Sequence, residues 1–148
     1  MTPFKQLYRH KPEEGVIGDC WRTCFGCLLD IQPQFVPHFL QYCWNDGLQA
    51  RANAKNWLAK LSLSYVEVPY GGTLQDVLRT CKDLAPGMHY LLGGESRTGV
   101  GHSVVCCDDQ IVWDPSLDDA GIIGPMDDGH YWVTWLIPML LAKDKVPA

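Results

Sequence analysis

The chain has 148 residues, of which 47% are hydrophobic and 20% charged, a balance that predicts one globular domain with a sizeable core. A net charge of −5, with no cluster of Lys and Arg, argues against a nucleic-acid partner. No apolar run approaches the ~18 residues needed to span a bilayer, so no membrane partner is expected.

Met1 to Lys11 lacks the apolar segment of a secretory signal. The cysteine count of seven is odd, which together with that lack predicts reduced thiols in a cytoplasm rather than a disulfide framework. Six Trp and six Tyr supply apolar surfaces with polar handles, as in a groove for a peptide or protein substrate.

Met1 to Gly18, with Pro3, Pro12 and Gly15, reads as an arm or loop. Asp19 is placed to cap the helix that follows, its carboxylate accepting from an orphan backbone N–H. That helix is apolar on most of its circumference, through Cys20, Trp21, Cys24, Phe25, Cys27, Leu28, Leu29 and Ile31. Arg22, Thr23, Gly26 and Asp30 mark a polar edge. Such a helix belongs in a core. Cys20 falls in its first turn, where the helix dipole favours negative charge on sulfur.

Pro33 and Pro37 punctuate a short helical piece through Phe39, Leu40 and Tyr42, and a helix is expected over Arg51 to Leu61. Tyr65 to Pro69 alternates like a strand, Tyr70-Gly71-Gly72 reads as a turn, and Thr73 caps a helix carrying Leu74, Val77, Leu78 and Cys81. Strands are expected at His89 to Leu92, Ser103 to Cys107, Ile111 to Asp114 and Tyr131 to Ile137. A Gly-rich polar loop, Gly93 to Gly101, precedes His102, and its Arg97 is read either as a holder of a substrate carboxylate or as an ordinary charge on a solvated loop. Pro138 onward reads as an exit segment and loose tail. Helices first and an antiparallel sheet second give an α+β class, in a single domain spanning 1–148.

The segment Gly101 to Pro115 reads as a hairpin turning near Asp108-Asp109-Gln110, with His102 and Asp114 at its open end. Side chains alternate faces along a strand, so these two share a face only if the connecting loop has an odd number of residues. A two-residue turn would put the carboxylate on the wrong side. With a suitable loop, Asp114 orients the His102 imidazole. His102 takes the Cys20 thiol proton, and the sulfur attacks a carbonyl carbon. The oxyanion formed needs donors: the Cys20 backbone N–H is one, and the side-chain amide of Gln6 is the candidate for a second.

The motifs GDCWRTCFGCLL and ESRTGVGHSVVCCDDQIVWDP, spanning Gly18–Leu29 and Glu95–Pro115, are where the chain resembles the papain-like cysteine peptidase superfamily. The likeness is to compact bacterial members, such as bacteriocin leader peptidases and NlpC-type amidases, and to small bacteriophage proteins of that superfamily. It covers the two motif regions and the α-then-β order. The resemblance implies a nucleophile helix packed on a C-terminal antiparallel sheet, with Cys20 as nucleophile, His102 as base and Asp114 as orienting acid. It implies amide-bond hydrolysis through an acyl-enzyme, as peptidase, isopeptidase or amidase, without a cofactor. For a phage-encoded chain the compartment would be the host cytoplasm. The family's oxyanion Gln is not matched, since Glu14 stands six positions before Cys20. Transglutaminase-like acyl transfer, and a catalytically silent module that binds a host protein, are the alternatives.

The spacing of Cys20, Cys24 and Cys27 is also that of a radical-type iron–sulfur motif, but the chain is too short for the barrel such enzymes use. As a zinc set it equally describes an apolar helical stripe, so no metal is expected. His10, His38, His89 and His130 are read as structural, as are Cys24, Cys27, Cys43, Cys81, Cys106 and Cys107.

Overall fold

A computed structural model describes residues 1–141. It is an α+β fold of three α-helices, α1 (Cys20–Leu29), α2 (Gly47–Ala59) and α3 (Leu74–Leu84), and five strands. The strands are β1 (Leu63–Tyr70), β2 (His89–Glu95), β3 (Gly101–Cys107), β4 (Gln110–Trp113) and β5 (Tyr131–Pro138). They form one antiparallel sheet in the order β1-β5-β2-β3-β4, so the last strand inserts between the first and second. The tail expected beyond Pro138 falls mostly outside the described residues, which end at Leu141.

Alternation along the strands sorts the core into two clusters, one on each face of the sheet. Leu91, Val105 and Tyr65 pack with Cys24, Phe25, Cys27, Phe39, Ala54 and Leu58 of the α1 and α2 side. Their neighbours in sequence, Tyr90, Leu92, Val104 and Cys106, pack with Val77, Leu78 and Cys81 of α3. Full burial of one such side chain contributes about 1.5–3 kcal/mol, and these positions have almost no exposure. Trp21, Phe25 and Phe39 add edge-to-face contacts with ring centroids 5.4 to 5.8 Å apart.

The helix ends follow from local chemistry. Thr73 accepts from the Asp76 N–H while the Asp76 carboxylate accepts from the Thr73 N–H, a reciprocal cap that fixes the start of α3 as expected. Asp46 caps α2 through the Gln49 N–H, so that helix begins before the expected Arg51. In α1, Gly26 is required by packing, since a Cβ there would fall 2.4 Å from the Ile31 carbonyl oxygen. Ile31 thus lies past the helix, which stops at Leu29 with Asp30 in the left-handed region (φ 58°). The segment after it forms a 3-10 turn at Pro33–Phe35 and then further turns through Cys43, in place of the expected helical piece.

Most of the supposed polar edge of α1 is inside the protein, and only Asp30, just past its end, is exposed. Arg22, Thr23 and Gly26 are buried. Thr23 turns its hydroxyl back to the Asp19 carbonyl at 2.8 Å, and Arg22 donates to the Asp19 carboxylate and to the Val36 carbonyl. Each polar group has found a partner within a turn or a neighbouring loop, which is what makes its burial tolerable.

Candidate active site

The hairpin β3–β4 reaches the required geometry by a route the sequence did not announce. The turn is the two residues Asp108 and Asp109, pairing Cys107 with Gln110 and Cys106 with Ile111. Continued unbroken, that register would send Asp114 to the face opposite His102. A β-bulge intervenes, and the next pair is Val105 with Trp113, leaving Val112 as the extra residue. The slip of one restores the parity that an odd loop would have provided. Asp114, just past the end of β4, comes onto the side of His102.

The two side chains meet, with His102 Nε2 and Asp114 Oδ1 2.7 Å apart. Both are largely withdrawn from solvent, with side-chain exposures of 6% and 20%. Asp114 also accepts from the Ser116 N–H on Oδ1 and the Gly121 N–H on Oδ2, each at 2.9 Å. Gly121 is in the left-handed region (φ 64°), where glycine is the residue of choice, so the loop can turn its amide to the carboxylate. Burial alone would raise the Asp114 pKa, but these donors and the imidazole charge hold it well below the usual carboxylate range. For His102, burial opposes the charged ring. The bond to Asp114 and the proximity of the Cys20 sulfur outweigh it, raising the pKa to about 10.

Cys20 opens α1, is only partly buried and lines the same cleft as His102, close enough for its sulfur to raise the basicity of the ring. With Nε2 engaged by Asp114, Nδ1 is the imidazole nitrogen left for the thiol. Further along α1, the Cys24 sulfur faces the Ser103 carbonyl at 3.4 Å and the Cys27 sulfur faces the Phe4 carbonyl at 3.6 Å. The three thiols therefore take different partners. Burial raises the pKa of both Cys24 and Cys27. Among the described residues no group of three or more His, Cys, Asp and Glu converges as a metal site would require.

No protein-family model, curated protein or solved structure matches this chain. The chemistry must therefore be read from the site itself.

The arm folds back onto that site. Gln6 is buried, its N–H donates to the Pro115 carbonyl at 2.8 Å, and its Nε2 donates to the Tyr8 carbonyl at 2.6 Å. Gln6, Cys20 and His102 all line one cleft of about 760 Å³. Asp114 is absent from the lining and stands behind the imidazole. The cleft extends past Arg9 and Trp44 in one part and Met126 and Trp132 in another. Gly93 and Gly101 leave room for the Met126 methyl, which a Cβ at either would approach to 3.2 or 3.3 Å.

Other candidates are committed to structural bonds, although His10 also lines the cleft. Arg97 spends its backbone N–H and its Nε on the Ala120 carbonyl, and it does not line the cleft. His10 Nδ1 accepts from the Gly18 N–H and His38 Nε2 contacts the Ile17 carbonyl, both structural roles. His89 pairs with Cys107, at the end of the β2–β3 ladder remote from His102.

Asp19 departs most from expectation. Its carboxylate caps nothing in α1. It accepts instead from the Leu7 N–H, the Tyr8 N–H and Arg22 Nε, at 3.0, 2.9 and 3.0 Å. The available signal was the pair Asp19/Arg22 at i, i+3 on a helix otherwise apolar enough to be buried, where neither charge could be left alone.

Proposed function

We propose that this protein is a papain-like, cysteine-dependent hydrolase of amide bonds, acting on a peptide or protein through an acyl-enzyme. The observation that carries the reading is the 2.7 Å pair of His102 with Asp114, set beside a partly exposed helix-opening cysteine in a cleft large enough for a peptide segment.

The arrangement supports a complete sequence of steps. Asp114 holds Nε2–H, so the neutral tautomer presents Nδ1 as the acceptor for the Cys20 proton. The raised basicity of His102 favours the imidazolium, and Asp114 stabilises that charge. The sulfur attacks the amide carbon, and the carbonyl oxygen gains negative charge. As the first residue of α1, Cys20 has no helical partner for its own N–H, which is free to donate to that oxygen. The second hydrogen on Gln6 Nε2 is the other donor in this reading, the first being held by Tyr8. His102 then gives its proton to the leaving nitrogen, and water entering the cleft repeats the sequence to release the acid.

The test uses p-nitrophenyl acetate as a carbonyl probe. The wild-type protein is expected to release one equivalent of nitrophenol in a burst and to carry one acetyl group on the Cys20 peptide. Cys20→Ala should show neither. Acetylation spread evenly over the exposed nucleophiles would contradict the reading. An added primary amine separates hydrolysis from transfer: free acetate as the main product supports hydrolysis, and acetylated amine supports a transferase.

A further inference from the structure

We propose that Asp19 is a positioning residue, the anchor that holds the arm and so sets the Gln6 carboxamide in the oxyanion pocket. The inference rests on the reading above, and its test is built to fail separately from that reading.

The buried carboxylate immediately precedes the nucleophile candidate, and the proposed mechanism makes no use of it. It is one of the least exposed polar side chains in the molecule, at 1%. It caps no backbone N–H of its own helix. Oδ1 accepts two consecutive arm amides, those of Leu7 and Tyr8, while Oδ2 takes Arg22 Nε. Arg22 is itself tied to the Val36 carbonyl, so the anchor is braced against the loop after α1.

The arm is tied at its other end to the acid side of the site. Trp113 Nε1 donates to the Phe4 carbonyl at 2.8 Å, Lys5 Nζ donates to the carbonyls of Asp114 and Ser116, and the Gln6 N–H donates to Pro115. Residues 4–8 thus bridge the residue before Cys20 and the segment around Asp114. Gln6 sits where the two sets of bonds meet. Its carboxamide is oriented by the Tyr8 carbonyl, whose own amide is fixed by Asp19. The orientation follows: Nε2 must face Tyr8, because the carbonyl there requires a donor.

Gln6 Oε1 is buried without a hydrogen-bond partner, one of two such side-chain atoms among the described residues. That oxygen is an acceptor and takes no part in holding an oxyanion, so the carboxamide is fixed through Nε2 alone and its second N–H is the group left for the cleft. A carboxylate that fixes two backbone amides beside such a group has a stronger claim to site assembly than to helix capping.

The experiment compares two reactions of the same sulfur. Acylation by p-nitrophenyl acetate passes through an oxyanion; alkylation by iodoacetamide does not. Asp19→Asn, confirmed folded by circular dichroism, is expected to acylate at least ~10-fold more slowly while alkylating Cys20 within about twofold of wild type. The benchmark is Gln6→Ala, for which loss of one oxyanion donor predicts a fall of about 10²-fold in acylation. Asp19→Glu keeps the charge opposite Arg22 and guards against a folding failure of the Asn variant. Its longer side chain displaces the arm, so it should lose acylation several-fold but less than Asp19→Asn.

Unchanged acylation in either folded variant would overturn the proposal. So would a parallel loss of alkylation, which would place the effect of Asp19 on the sulfur. Absence of any wild-type burst would instead contradict the hydrolase reading itself.

Discussion

The first turn of α1 and its later turns carry the same residue type into opposite chemistry. Cys24 and Cys27 are fully buried, face backbone carbonyls, and have their ionisation suppressed by burial. Cys20, on the same helix, is partly exposed, opens onto the cleft and has an imidazole for a neighbour. One turn of helix separates a packing thiol from a candidate nucleophile. The lesson is that reactivity here follows from the partner and the helix position, while cysteine by itself serves the core.

Exchanging the two environments gives the largest expected effect. Cys20→Ala should abolish acyl-enzyme formation, whereas Cys24→Ala should still acylate Cys20 and lose stability only, read by denaturant titration. Cys24→Ser leaves the small volume but buries a hydroxyl near the Ser103 carbonyl, and an unmet hydrogen bond would cost about 1–3 kcal/mol.

The imidazole side comes next. His102→Ala should reduce acylation by about 10³- to 10⁴-fold, and Asp114→Asn, which keeps the shape but alters the tautomer preference, by about 10²- to 10⁴-fold. Stopped-flow measurement of the nitrophenol burst reads both.

The bulge offers a subtler break. Deleting Val112 removes the extra residue and leaves an unbroken ladder, with Ile111 opposite Cys106 and Trp113 still opposite Val105. Asp114 would keep the side of the sheet it shares with His102, so acylation should stay much closer to wild type than in Asp114→Asn. A deletion variant that loses acylation as fully as Asp114→Asn would show that the bulge does more than set the face of the carboxylate.

The smallest effect is on stability against pH. His102, raised to about 10, contributes fully below its ordinary value of 6.5 and loses that contribution as pH climbs toward 10. Asp114, depressed from its ordinary 3.8, contributes fully above that value and loses its contribution as pH falls through its lowered native pKa. The pair should therefore stabilise most between about pH 4 and 6.5. The difference in unfolding free energy between wild type and the His102→Gln/Asp114→Asn double variant, followed across pH, should peak in that window.

Much of the fold was legible because local signals agreed. Thr73 and the apolar side of Leu74, Val77, Leu78 and Cys81 announced α3, and the alternation of Tyr65 to Pro69 announced a strand. The pairing of His102 with Asp114 was also legible, but only as a parity condition. The bulge at Val112 was not, since nothing in Gln110-Ile111-Val112-Trp113 distinguishes a slipped register from a straight one. Asp19 misled because an acidic residue before a helix has a strong local preference to cap. That preference lost to two backbone amides of the arm, a contact spanning more than ten residues. Long-range bonds to the main chain leave no side-chain pattern to read.

The pairing of Cys20 with His102 is tested most directly by site-resolved alkylation. Wild-type protein and His102→Ala would be treated with iodoacetamide at a series of pH values, with each cysteine peptide followed by mass spectrometry. Cys43 and Cys107, also partly exposed, serve as internal references. Cys20 should react at least ~10-fold faster than both at neutral pH and lose that lead in the variant. Cys20 labelling no faster than Cys43 and Cys107, or unaffected by His102→Ala, would contradict it.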